Sequence, residues 1–170
     1  IDWGDGTQPN TGVATIDAIG EVTSGSFDGS HTYADNGLYT VTVTLIDSDG
    51  DMASGTLTVT VSNVDPTLTV VGDQTVAQST LLELIDIGQF TDPGFDNPLN
   101  VGGEISERFT FAIDWGDGTP LDSGPGTIDV PGRPGVLTAG SFDGSHTYAA
   151  AGQYEVTVYV SDDDGPPVSD

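Results

Sequence analysis

Aspartate is the residue through which this chain can do chemistry. Its 170 residues include 22 Asp and only 5 Glu, and the aspartates gather beside glycines in short runs. The densest runs are Asp47-Ser48-Asp49-Gly50-Asp51 and Asp162-Asp163-Asp164-Gly165. Acid placed for solubility alone would draw on Glu as well; short Asp carboxylates next to Gly suit turns and metal-binding loops. Crowded hard oxygen ligands fit calcium, which accepts about six to eight oxygens in flexible geometry. The first run opens with the Asp-x-Asp-x-Asp rhythm of an EF-hand. Met52 stands where that loop needs Gly and no Glu follows at its last position, so the EF-hand reading falls. The competing reading is a plain solvated acidic turn.

Other constellations are weaker. His31 and His146 lie in identical Ser-His-Thr-Tyr settings, two residues before Tyr33 and Tyr148. A nucleophilic triad of Ser30, His31 and Asp28 fails on geometry, because neighbours along an extended backbone cannot converge on one substrate atom. A structural imidazole, with the Tyr tying down the next turn, is expected instead. Trp3 and Trp115 fall in line with Ile1 and Ile113, which assigns them to the core rather than to sugar stacking. Carboxylate pairs for glycoside hydrolysis must face each other across a cleft, and in so acidic a chain chance pairs mean little. No phosphate-cradling glycine loop or nucleophile motif is present. A protein without catalysis is expected.

Charge narrows the partners. Two Arg, no Lys and 27 acidic residues give a net charge of −25. Such a surface repels phosphate backbones and anionic headgroups, which argues against nucleic acid and membrane surfaces as partners. No apolar run reaches the ~18 residues that a helical membrane span needs. The absence of cysteine removes disulfides and thiolate metal sites. Hydrophobic residues still make up 35 %, in alternating order, so a packed fold is expected rather than an acidic tail.

The elements that must hold these residues are strands, in a repeated order. Ile1 to Thr7 recurs unchanged as Ile113 to Thr119, and Gly25 to Ala34 recurs unchanged as Gly140 to Ala149. The first offset is 112 and the second 115, which places a three-residue insertion around Pro125 to Pro134. Period-two alternation runs through Tyr39–Leu45 and Leu57–Val61, then Leu68–Val70, Leu82–Ile85, Phe109–Ile113 and Tyr154–Val160. Thr fills the alternate positions, where its β-branch suits an exposed strand face. With 24 Gly and 10 Pro between short strands, the class is all-β and the layer logic gives a sandwich. The copies divide at residues 1–64 and 65–170. The first lacks a counterpart of Pro66–Ala112, and the second stops short of a counterpart of Thr56–Val61. Open sheet edges invite aggregation, so a slice of a longer tandem array is expected, or missing strands supplied by neighbouring chains.

Trp-Gly-Asp-Gly-Thr, His-Thr-Tyr, the Gly-x-Tyr-x-Val-Thr-Val strand and the Asp-x-Asp-Gly loop together resemble the PKD (polycystic kidney disease) repeat. The resemblance spans nearly the whole chain, in two copies. It departs from that pattern over Ile87–Glu107 and between Trp115 and His146, where longer loops or an extra hairpin are expected. The resemblance implies immunoglobulin-like β-sandwiches in tandem, an extracellular or cell-surface location, and adhesion, spacing or scaffolding.

In that architecture the loop between the last two strands shares a pole with the linker Ser62–Pro66 and with Thr91–Asn97. The Gly4–Gly6 and Ala34–Gly37 turns of the first copy should approach the same pole. Calcium is therefore expected at the junction, held by Asp65, Asp92, Asp96, Asp162 and Asp164. Asp47, Asp49 and Asp51 form the matching site facing a preceding repeat. The leading expectation is a calcium-rigidified structural repeat of a filament, stalk or adhesin, with neighbouring repeats or identical chains as partners. The rival is an accessory module of a secreted hydrolase that contacts polysaccharide.

Overall fold

A computed structural model describes residues 1–170. Every regular element is a β-strand and every pairing is antiparallel. Four strands belong to the first copy: β1 (Thr15–Ala18), β2 (Ser24–Ser26), β3 (Gly37–Ile46) and β4 (Met52–Val61). They form two separate ribbons, β1-β2 and β3-β4. The second copy holds β5 (Thr67–Val70), β6 (Leu81–Asp92), β7 (Thr110–Asp114), β8 (Asp122–Pro125), β9 (Thr127–Val130), β10 (Thr138–Thr147), β11 (Thr157–Ser161) and β12 (Val168–Ser169). These make two four-stranded sheets, ordered β5-β6-β10-β9 and β12-β11-β7-β8.

The two sheets share one apolar cluster, giving a sandwich-like unit. Ile87 and Phe90 on β6 and Phe142 on β10 meet Phe109, Ile113, Trp115, Val158 and Val160 from the other sheet, with Tyr148 closing one end. Rings mesh across the gap: Phe111 stacks on Phe142 at 4.5 Å, and Phe90 lies 4.6 Å from Phe109. Gly88 sits opposite Phe142 in the ladder, and a Cβ there would enter the ring. The region of the three-residue insertion carries the extra hairpin. β8 pairs with β7 and β9 with β10, so the chain changes sheets at Gly126, where a Cβ would stand only 3.0 Å from the Phe90 ring.

Two strand expectations need correcting. Ile85 was grouped with Leu82 and Leu84, yet it is 80 % exposed whereas Ile87 is buried. Ile85, next to inward-facing Leu84, takes the outer face by alternation, and a bulge follows it: the register shifts between Phe142 and Gly144, and Asp86 turns to φ 51 and donates its N–H to Asp143 Oδ1. Leu82 and Leu84 stay in phase with Gly88 and Phe90 across it, and the extra residues on β6 are what let Ile87 turn in. Second, β11 begins only at Thr157, so Tyr154 and Val156 lie outside the strand. The Val158–Asp170 backbone pair (3.0 and 3.1 Å) matches Val43↔Gly55 in the first copy, where Leu57–Val61 goes on to pair with Gly37–Val41.

The repeated decapeptide packs differently in the two copies. In the second copy it lies in β10 against β6, and Phe142 is 3 % exposed. In the first copy only Gly25 and Ser26 are in a strand, and Phe27 is 49 % exposed. Ala34, Tyr39 and Val41 are the buried apolar residues there.

Candidate metal centre

The segment 93–109, between β6 and β7, reaches across to the first copy. Phe95 donates its N–H to Ala34 O (2.9 Å), and Asn97 Nδ2 donates to Asp5 O (3.0 Å). Gly6, at φ +76, lies against the Leu99 carbonyl, where any Cβ would collide. These contacts bring the Gly4–Gly6 and Ala34–Gly37 turns onto the linker-proximal end of the second copy.

Carboxylates collect around this contact. Asp92 is 2 % exposed; its Oδ1 accepts the Gly94 N–H at 2.6 Å and its Oδ2 is buried with no partner. Asp162 is also buried, accepting Asn63 Nδ2 on Oδ2 (2.8 Å) and the Gly165 N–H on Oδ1 (2.7 Å). A Cβ on Gly165 would stand 2.8 Å from Asp65 Oδ1 and 2.9 Å from Asp162 Oδ1, so glycine lets the linker and the Asp162 loop close together. Gly94 likewise separates Asp92 from Glu107. Beside this inner group, Asp35 of the first copy joins Glu104 and Asp164, with carboxylate oxygens within 4.8 Å of one another.

Asp163 holds Glu104 above its ordinary value, although one cation, Arg108, lowers it. Burial, reinforced by Asp162 and Asp65, raises the Asp92 carboxyl, while the Gly94 N–H opposes the rise. Glu107 is pushed up to about 9 by burial and then by Asp163, Asp35, Asp92 and Asp162. Asp35 rises to about 6, chiefly through burial, with Asp164 and Glu104 adding to it against the Asn36 N–H. Carboxyls pushed toward neutrality by burial and then by one another, one with a buried bare oxygen, fit a hard divalent cation. Without His or Cys among them, zinc and softer metals fit poorly.

The sequence-expected ligands divide. Asp65, Asp92, Asp162 and Asp164 come together. Asp96 turns aside: its Oδ1 accepts the Glu107 N–H (2.9 Å), and it lines a cleft of about 420 Å3 with Asp5, His31 and Thr7. Asp47, Asp49 and Asp51 are exposed at the far end of the β3-β4 ribbon, where Asp47 Oδ1 accepts the N–H groups of both Asp49 and Asp51 (2.9 Å each). Sequence reasoning missed Asn63, Glu104, Glu107 and the carboxylate of Asp35. The Asp35 turn was expected at this pole; the two glutamates lie in the departing segment, where no pattern marks them.

Both histidines are gripped by an aspartate and a tryptophan. His31 Nε2 meets Asp5 Oδ2 at 2.7 Å and His146 Nε2 meets Asp117 Oδ2 at 2.8 Å, a partner 26 or 29 residues away rather than Asp28. Each ring stacks on its Trp at 5.0 Å and meets its Tyr edge-on. Tyr33 and Tyr148 donate to the carbonyls of Trp3 and Trp115, each at 3.1 Å. Searches against protein-family models, curated proteins and solved structures find no match to this chain.

Proposed function

We propose that the chain is a stretch of tandem PKD-like, immunoglobulin-type repeats outside the cell. Its role is to span distance and join surfaces without turnover, with calcium neutralising the acidic junctions. The observation that carries this reading is the interlock between copies: the Phe95–Ala34 and Asn97–Asp5 hydrogen bonds and the seat of Gly6 on Leu99. A flexible tether would need no such contacts; a spacer needs them to hold a fixed angle. The engagement of both histidines by Asp and Trp further supports a role in packing rather than catalysis.

The polysaccharide reading draws less support, since Phe27 is exposed but Phe95 and Tyr159 are partly covered and form no open row with it. Small-angle scattering tests the spacer. The expected result is an elongated particle with one preferred arrangement of the copies. A compact globule, or a broad distribution of arrangements, would overturn it.

A further inference from the structure

The strongest pointer to a ligand is Asp92 Oδ2, a carboxylate oxygen buried without a partner. It lies in a continuous acidic basin. Asp92 reaches Glu107 across Gly94, and beside them the Asp164 carboxylate meets those of Asp35 and Glu104. Asp35 differs from the other carboxylates in origin, because it comes from the first copy. Its turn is pinned from behind, with Tyr39 Oη donating to Asp35 O at 3.0 Å and the Asn36 N–H donating to Asp35 Oδ1 at 2.6 Å.

We propose that this basin is a calcium centre shared between copies, in which Asp92, Asp162 and Glu107 hold the ion side of the second copy and Asp35 supplies the closing ligand from the first. The inference deepens the spacer reading and rests on it. A consequence follows from the repeat. The residue of the second copy equivalent to Asp35 is Ala150, in the otherwise parallel turn Tyr148-Ala149-Ala150-Ala151-Gly152. That turn, docked on a further unit, has no carboxylate to offer. Junctions of the Asp35 type are latched by calcium and junctions of the Ala150 type are not, so the two kinds of joint differ in stiffness through one side chain.

The test is calorimetric titration of the full chain with calcium chloride, and with magnesium chloride as control, at matched ionic strength. Wild type is expected to bind calcium and to prefer it to magnesium, which holds its waters and demands octahedral geometry. Asp92→Asn should abolish binding. Asp35→Ala installs what the second copy already carries in its equivalent turn, so the fold should persist. Its calcium affinity should drop at least tenfold while melting in EDTA stays unchanged or rises. Unchanged affinity in Asp35→Ala would confine the ion to one copy and overturn the shared centre. No calcium binding, or equal response to magnesium, would overturn the metal. Scattering in EDTA reads the spacer separately: docked copies with no calcium binding would sink this inference and the calcium part of the proposed function, and leave the spacer standing.

Discussion

Phe27 and Phe142 occupy the same place in the same decapeptide, which makes them an internal control for what the partner sheet contributes. Phe142 is 3 % exposed, stacked on Phe111 and pressed against Gly88; Phe27 is 49 % exposed. Truncating a fully buried Phe to Ala costs about 3–5 kcal/mol, part lost transfer energy and part cavity. For a unit of roughly 100 residues each kcal/mol moves the melting temperature by about 4–8 °C, so Phe142→Ala should lower it by about 15 °C or more. Phe27→Ala removes a ring already half in water, leaves no enclosed cavity, and should cost about 1 kcal/mol or less. Urea and thermal melts followed by circular dichroism would measure both. Equal losses from the two substitutions would refute the argument, since they would mean that the first copy packs its decapeptide as the second does.

Tyr148→Phe should cost about 1–2 kcal/mol in urea melts, because it strands the buried Trp115 carbonyl. Gly116→Ala should destabilise by about 2 kcal/mol or more, because φ is +74 and the Cβ would strike the Glu155 carbonyl. Gly118→Ala, at φ +82 in open space, should cost less, and the difference between the two melts isolates the collision. In EDTA, stability should fall as pH rises from about 4 toward 9. The folded carboxyls of Asp35 and Glu107 titrate near 6 and 9, above their ordinary 3.8 and 4.5, so the fold favours their protonated forms and loses that advantage as they ionise. Calcium should flatten this slope, and a melting series over pH that is level without calcium would count against the basin. Asp117, held down to about 2 chiefly by Thr119 and then His146, contributes the opposite sign, retained above its unfolded pKa of 3.8 and lost as pH falls through about 2.

The period-two patterns were enough to place β3, β4 and the core faces of β7, because alternation is a local property of an extended chain. Ile85 falls outside that alternation, and the bulge that buries Ile87 is set by the partner strand and leaves no mark on spacing. Asp5 and Asp117 looked like turn residues, and they are; that each also grips a histidine strands away depends on how two sheets close. The acidic basin was half legible for the same reason. Asp162 and Asp164 sit in an obvious acidic loop, whereas Glu104 and Glu107 enter through an irregular segment whose path only packing fixes.

The open ribbons of the first copy give the net charge of −25 a second use. β3-β4 shows Leu45, Ile46, Met52 and Leu57 to solvent, and β1-β2 shows Ile16, faces and edges that would otherwise add strand to strand between molecules. Mutual repulsion among like-charged particles keeps them dispersed. That protection is colloidal and depends on conditions: it fades as pH approaches the isoelectric point near 4.1, and as divalent ions saturate the surface. On the calcium reading proposed above, a low concentration would fill the basin and stiffen the joint, while an excess would strip the repulsion and let the exposed ribbons of separate molecules find one another.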